Sequence, residues 1–435
     1  ENIQLNQNQP KVVDLSKVYK LPSTPSEISL VNNLAKVTDV FKELYKDNSN
    51  LRLVNAAIYS KLYKDESILL KDLIFPQESR LVQNKKFNTL TQKWNTSLNS
   101  FSKNFWEIVK KNNDKNFELF LNNLSTIRTA LLTTGSNDNN ESQQVTIYFP
   151  YSEVFVLPND GYVEPLTSIV TATADADEGF GYLPYFDNFG NFQYYIQVLV
   201  NDDYAAANPT HIIGVNGIEG ETTLFEAPPM PSTSTGMSRV YIGEVICKNQ
   251  YDKLISFTGN GGGSEIKFCR LSGYLKPVNG QVTTFEDIIS ADISRYNIRK
   301  QNWLRLFAIW DASWNIENNE QVLAIYEEDN TNNVTFNGSL STTLGTGSSG
   351  SSGGASVTGT IGYSITRQSQ DDIIRQLKLS RSSYFLGSFL DQGHGFSSDA
   401  TFLPLPFTHG WPTYDVHYNT KAGANVGWTW PYQLN

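Results

Sequence analysis

Acidic residues with the spacing of a calcium loop occur in one short segment. Asp175, Asp177 and Glu178 lie in the sequence ATADADEG, where alternate carboxylates end in a glycine. Ca²⁺ is a hard cation that takes carboxylate oxygens, and alternating Asp residues open the loops that hold it. The other ligand positions of an EF-hand loop are not matched, because an aromatic-rich run occupies them. The segment is therefore interpreted either as a calcium site or as a solvated acidic turn.

A second acidic set follows predicted strands in the C-terminal part. Loops at one end of a β-sandwich can bring such carboxylates together as calcium ligands. The arrangement resembles the calcium-binding end of a C2-type sandwich, although the tight D-x-D spacing of that family is absent here. Solvated loop tips are the alternative. The predicted ligands of this set are Asp311, Glu327, Asp329, Asp371 and Asp372.

Histidines are few, and no common hydrolase motif accompanies them. The sequence contains no H-E-x-x-H, G-x-S-x-G or papain-like cysteine pattern, so neither a zinc protease nor a common serine or cysteine hydrolase is indicated. A hydrolytic or metal site formed by C-terminal His and Asp residues is one interpretation, and isolated polar residues are the other. These residues are His394, His409 and His417 with Asp391, Asp399 and Asp415, whereas His211 stands apart from them.

Two cysteines, Cys247 and Cys269, end predicted strands on either side of the glycine-rich turn at 259–263. If these strands are antiparallel neighbours, the two sulfur atoms lie within reach of a disulfide, which is typical of an oxidising compartment. A pair of buried thiols is the alternative. No Cys/His cluster suggests a structural zinc site.

Aromatic side chains are concentrated near the C-terminus on segments with alternating character. If exposed on one face, such rings would stack on sugars, as in a carbohydrate-binding module; if buried, they are core residues. The residues in question are Trp411, Tyr414, Tyr418, Trp428, Trp430 and Tyr432.

Hydrophobic periodicity divides the chain into a helical part and a β-rich part. Apolar residues recur at helical spacing between 26 and 135, and they alternate in strand-like runs beyond 145. Polar or Pro-rich stretches at 133–144 and 227–236 mark the predicted boundaries. We therefore predict an α+β multidomain protein: a flexible tether at 1–25, a helical bundle at 26–135, a β module at 145–226 and a β-sandwich module at 238–435.

The net charge of −10 is unevenly distributed. Residues 1–135 carry 19 Lys and Arg against 13 Asp and Glu, giving +6, whereas the remainder carries 15 against 31, giving −16. Phosphate binding requires a basic face, so nucleic acid is excluded as a partner of the acidic part. No run is long and apolar enough for a membrane-spanning helix. The start at Glu1 is interpreted as removal of a signal peptide or as trimming.

Short motifs along most of the chain loosely resemble secreted or lipid-anchored Bacteroidetes proteins of unknown function. The helical segments NNLAKVTDVFKELYKD and LYKDESILLKDL, the strand entry Gly262-Gly263-Ser264-Glu265 and the strand exit Trp310-Asp311 carry this resemblance. It implies an envelope or extracellular location and supplies no activity.

The resulting hypothesis is a non-enzymatic secreted or cell-surface protein. It binds or assembles with an extracellular protein or a glycan, and calcium is the candidate stabilising ion. The alternatives are an extracellular hydrolase of a polymer and a carbohydrate-binding module.

Overall fold

The structure is a computed structural model that combines N-terminal helices with several largely antiparallel sheets, as predicted at that level. Two compact units divide the chain. Unit 1 comprises 1–222, 252–263 and 294–296, and unit 2 comprises the rest. The described residues are 13–63, 66–133, 144–155, 166–216, 238–259, 261–275, 282–314, 320–327, 333–345, 356–368, 374–386, 396–397, 415–419 and 425–433.

Most helices of unit 1 begin at a residue whose side chain caps the helix. In helix α1 the Thr24 side chain accepts a hydrogen bond from the Glu27 N–H, and the Glu27 carboxylate accepts one from the Thr24 N–H. The helical spacing of apolar residues at 87–109 is divided between two helices, because Asn95 adopts a left-handed conformation that ends the first of them. The helices are α1 Pro25–Leu44, α2 Asn48–Tyr59, α3 Leu70–Ile74, α4 Lys85–Trp94, α5 Leu98–Asn112, α6 Lys115–Thr133 and α7 Asp202–Ala207.

A six-stranded sheet lies in the same unit, with strand order β2-β3-β8-β4-β6-β7. The β4 and β8 strands are parallel, and every other neighbouring pair is antiparallel. A separate two-stranded sheet pairs β1 with β5. The strands are β1 Val18–Lys20, β2 Ser67–Leu69, β3 Gln144–Tyr148, β4 Ser168–Thr171, β5 Asp175–Ala176, β6 Glu178–Phe186, β7 Phe192–Asn201 and β8 Thr210–Asn216.

One face of this sheet packs against the helices. Phe41 and Tyr45 of α1 share a hydrophobic core with Ile147 of β3 and Ile213 of β8. Strand β2 comes from the predicted helical region and pairs with β3 beyond the predicted boundary. The structure thus differs from the predicted division at 133–144: the helices and the sheet form one unit, because neither apolar face is buried without the other.

The opposite face of the sheet is covered by residues 252–259, which we call the covering segment. Leu254, Ile255 and Phe257 belong to the core of unit 1. The Ser256 carbonyl accepts a hydrogen bond from the Val215 N–H at 3.1 Å. A Cβ atom on Gly214 would overlap that carbonyl oxygen, so this close approach requires glycine.

Unit 2 is mostly strands. A four-stranded sheet has the order β11-β10-β13-β16, a five-stranded sheet has β12-β9-β19-β18-β17, and β14 pairs with β15. The strand-like runs predicted beyond 145 include strands at 238–247, 304–310, 321–326 and 356–365, which the structure confirms. The elements are β9 Arg239–Cys247, β10 Ser264–Leu275, β11 Val282–Ile293, α8 Arg295–Lys300, β12 Leu304–Asp311, β13 Glu320–Glu327, β14 Asn333–Gly345, β15 Ser356–Gln368, β16 Arg375–Ser380, α9 Arg381–Leu386, β17 Phe396–Ser397, β18 Asp415–Asn419 and β19 Val426–Gln433.

Side chains from the two larger sheets of unit 2 share one hydrophobic core. Phe268 of β10 contacts Trp428 of β19, with ring centroids 5.9 Å apart. Trp310 of β12 and Ile325 of β13 lie in the same cluster. Among the described helices of the whole chain, none has the length and apolar character required to cross a membrane.

Candidate functional site

Asp175 is a buried structural residue that binds the covering segment. One carboxylate oxygen accepts hydrogen bonds from the Ser256 hydroxyl at 2.8 Å and from the Phe257 N–H at 2.9 Å. The Thr258 hydroxyl donates to the other oxygen at 2.6 Å. These donors replace the water that the carboxylate loses on burial. Asp175 is therefore committed to holding this segment on the sheet.

Asp177 and Glu178 bind the N-terminal segment instead. The Tyr19 hydroxyl donates to Asp177 at 2.6 Å. Glu178 accepts a hydrogen bond from the Asp14 N–H at 2.6 Å and forms an ion pair with Lys17 at 3.0 Å, an interaction that raises the pKa of Lys17. Part of the predicted tether is thus ordered at residues 14–20, and the acidic segment is neither a solvated turn nor a convergent set of ligands.

Asp311 of the second acidic set forms a polar network in the interior of unit 2. Its carboxylate pairs with Arg270 at 2.6 Å and accepts hydrogen bonds from the Ser313 N–H and the Gln321 amide. The same Gln321 side chain accepts the indole N–H of Trp310 at 2.9 Å. This carboxylate neutralises a guanidinium and is almost fully buried.

The remaining predicted metal ligands do not complete a site in the described part of the chain. Glu327 is buried at the end of β13, opposite Ile266. Across the described ranges, no three His, Cys, Asp or Glu side chains are grouped as they would be around a metal ion. Asp329, Asp371 and Asp372 lie outside the described residues.

His211 is a core residue of unit 1. Its Nδ1 atom shares a hydrogen bond of 2.6 Å with the Tyr45 hydroxyl, and the Phe149 ring contacts the imidazole. Complete burial lowers the pKa of His211 to about 3, so the ring is neutral at physiological pH. A closed, apolar environment gives a substrate no access to it. His394 and His409 lie outside the described residues, as does the side chain of His417.

The two cysteines lie in different sheets of unit 2. Cys247 is on β9 of the five-stranded sheet, and Cys269 is on β10 of the four-stranded sheet. The structure describes both as buried thiols, and the Cys247 thiol donates to the Asn249 carbonyl. The predicted disulfide is not formed in this structure, because their strands are not the neighbours that it requires.

Of the C-terminal aromatic residues, Trp428 is the one whose side chain is described. It is fully buried against Phe268 and is thus a core residue. The other side chains of that set lie outside the described ones: Trp411, Tyr414, Tyr418, Trp430 and Tyr432.

A group of exposed aromatic residues occurs at the end of the β6–β7 hairpin. Tyr185 and Tyr194 are 43% and 54% exposed, and Phe189 in the connecting turn is 89% exposed. Tyr185 lies directly opposite Tyr194, with ring centroids 5.0 Å apart and ring planes inclined by 27°. We call these three residues the aromatic end, and the stacked tyrosine pair the platform.

The turn that carries Phe189 is fixed by Asp187. Its carboxylate accepts hydrogen bonds from the N–H groups of Phe189 and Asn191 at 2.9 Å and from the Gln193 amide at 2.9 Å. Gly190 takes the positive φ of 80° that the turn requires. These bonds lower the pKa of Asp187. The exposed phenyl ring is consequently held on a defined backbone.

Helix α1 packs on only one face of the β6–β7 hairpin. The Tyr195 hydroxyl donates to the Lys42 carbonyl, and the Lys42 ammonium lies 4.3 Å from the Tyr182 ring centroid. Because alternate residues of a strand point to opposite faces, the platform lies on the face away from α1. The strand-like runs predicted beyond 145 include both strands of this hairpin, but no local pattern distinguishes its exposed rings from its buried ones.

The comparisons with known proteins give no relative from which to assign this surface. No protein-family model matches the chain, and no curated protein or solved structure matches it either.

Proposed function

We propose that this chain is a non-enzymatic secreted or cell-surface binding protein, and that the aromatic end of the β6–β7 hairpin is its binding surface. The exposure of Tyr185, Phe189 and Tyr194 on one hairpin carries the proposal. Large rings are normally buried, and exposed aromatic side chains grouped together are typical of recognition surfaces.

The carboxylates and the histidine described above make contacts within the protein, which supports binding rather than catalysis as the function. Asp175, Asp177 and Asp311 all accept hydrogen bonds or ion pairs that hold the fold together. The neutral imidazole of His211 is enclosed by aromatic residues. A general acid or base must reach a substrate proton, and these side chains are directed at the protein itself.

Unit 2 fits the role of a scaffold in this proposal. Its two larger sheets share the core of Phe268, Trp310, Ile325 and Trp428, which supports the proposed β-sandwich. The extracytoplasmic location rests on the resemblance to secreted Bacteroidetes proteins.

The test is binding of the fluorescently labelled chain to sedimented envelope preparations from a Bacteroidetes bacterium. We expect the wild type to sediment with this material. A triple variant, Tyr185→Ser with Phe189→Ser and Tyr194→Ser, should lose at least nine-tenths of this binding because the exposed apolar contact area is removed.

Val82→Ser is the matched control, since Val82 is 54% exposed elsewhere in unit 1. It should bind like the wild type, and circular dichroism should show that both variants are folded. Equal binding by the triple variant and the wild type would refute this surface. Depolymerisation of the envelope material by the purified chain would favour the hydrolase instead.

A further inference from the structure

We infer that the ligand of the platform is a neutral glycan whose sugar rings stack on Tyr185 and Tyr194. This inference rests on the proposed function and names the chemistry of its partner.

The shape of the platform is the first argument. The two tyrosine rings are nearly parallel, and the next pair along the strands, Leu183 and Ile196, is half-buried on the same face. A flat apolar strip of this kind matches the C–H face of a pyranose ring, which buries apolar surface against an aromatic ring. A deep pocket is not needed for a polymer that lies across the surface.

The charge of the hairpin is the second argument. Between Gly179 and Asn201 the sequence contains one charged residue, Asp187, whose carboxylate is occupied by the turn. The nearby lysines lie on the opposite face: Lys42 pairs with Asp39, and Lys46 pairs with Glu43. Anionic polymers and anionic lipid surfaces attract basic residues, which this platform does not offer.

The polar residues of the hairpin are the third argument. Apart from Asp187 they are mainly amides, whose side chains both donate and accept hydrogen bonds and so suit sugar hydroxyls. The amides of Asn191 and Gln193 are oriented by Asp187. The exposed amide residues near the aromatic end are Asn188, Asn191 and Gln193.

A lipid surface is the competing partner. Aromatic residues are enriched at membrane interfaces, and Phe189 projects at the turn. Stable interfacial binding, however, usually combines apolar insertion with basic residues. The hairpin contains no Lys or Arg between 179 and 201, so the glycan is favoured and lipid binding becomes an outcome of the test.

The experiment is affinity electrophoresis of the full chain in gels that contain one neutral soluble polysaccharide each. The panel is hydroxyethyl cellulose, xyloglucan, galactomannan and mixed-linkage β-glucan. We expect at least one of them to retard the wild type. The Tyr185→Ala/Tyr194→Ala double variant should lose affinity tenfold or more, whereas the Tyr185→Phe/Tyr194→Phe variant should stay within twofold, because stacking requires the ring and not the hydroxyl.

Tyr19→Ala is the matched control, since Tyr19 is exposed to the same 54% as Tyr194 but lies on β1. It should be retarded like the wild type. In a second experiment, sedimentation of the same variants with phosphatidylcholine vesicles tests lipid binding.

The outcomes separate this inference from the proposed function. If the aromatic end is required for envelope binding but none of the polysaccharides retards the chain, the glycan inference is overturned and the binding surface stands. Vesicle binding that is lost in the double alanine variant would overturn it in favour of lipid. If the wild type does not bind the envelope preparation at all, the proposed function itself fails.

Discussion

The two ends of strand β6 show opposite uses of conspicuous side chains. At its start, Asp175, Asp177 and Glu178 stand out in the sequence, yet protein donors satisfy all three carboxylates. At its end, Tyr185 stands out little in the sequence, yet its ring is exposed and stacked on Tyr194. The sheet is covered on both faces near β5 and on one face at the hairpin end. Coverage, rather than residue type, separates the structural carboxylates from the proposed binding surface.

The largest expected loss of stability is at the start of β6, where the sheet is covered on both faces. Asp175→Ala should lower the free energy of unfolding by about 4 kcal/mol, because buried donors of residues 256–258 lose their acceptor. Urea denaturation measures the change. Asp177→Ala is the control and should cost less than about 1 kcal/mol, since the Tyr19 hydroxyl that it releases lies at an exposed site. Equal losses in the two variants would contradict the contrast between these carboxylates.

Gly214→Ala tests the covering segment from the side of the sheet. The new methyl group would overlap the Ser256 carbonyl, so we expect a loss of about 3 kcal/mol. Gly190→Ala at the open end meets no atom within 4 Å and should cost only about 1 kcal/mol through its positive φ. Thermal unfolding of both variants shows which of them loses more stability. A larger loss at Gly190 would show that the hairpin turn matters more than the coverage.

The buried His211 should make the free energy of unfolding decrease as the pH falls. Its folded-state pKa is about 3, below the unfolded value near 6.5, so the unfolded state binds a proton first as the pH falls. Between pH 6.5 and 5 this linkage removes about 2 kcal/mol of stability. Urea denaturation of wild type and His211→Gln across this range should give a steeper decline in the wild type. Parallel curves would show that His211 is not enclosed.

The smallest effect on stability is expected at the aromatic end. Tyr185→Ala/Tyr194→Ala should cost less than about 1 kcal/mol, because an exposed cross-strand pair contributes little to folding. Val198→Ala, at a buried position on the same strand β7, is the control and should cost more. Urea denaturation compares them. A large loss in the tyrosine variant would mean that the pair is a structural element.

Local patterns predicted much of the fold but not its division. The strand-like alternation beyond 145 predicted strands such as β6 and β7, and the predicted start of the helical region at residue 26 is one residue from Pro25, where α1 begins. Ile68 was predicted in a helix but lies in β2, because pairing with β3 across more than 70 residues of chain overrides local spacing.

The candidate site could be predicted only in part, for a similar reason. The acidic segment attracted attention through its spacing, but the donors that satisfy Asp175 come from residues 256–258, distant in sequence. The exposure of Tyr185 depends on how far the covering segment extends along its face of β6: Ile255 packs at Gly179 on that face, whereas Tyr185 is 43% exposed. Neither relationship is encoded in a local pattern.

The covering segment has a consequence for the order of events during biosynthesis. Unit 1 takes residues 252–259 from a later part of the chain, and Arg295, still further along, donates to the carbonyls of Asp252 and Gly262. A nascent chain that ends near residue 222 therefore has an uncovered apolar sheet face, with Asp175 still lacking its donors. Folding of unit 1 is thus completed only after residues 252–263 and 294–296 have emerged. Fragments that end near residue 222 are expected to aggregate.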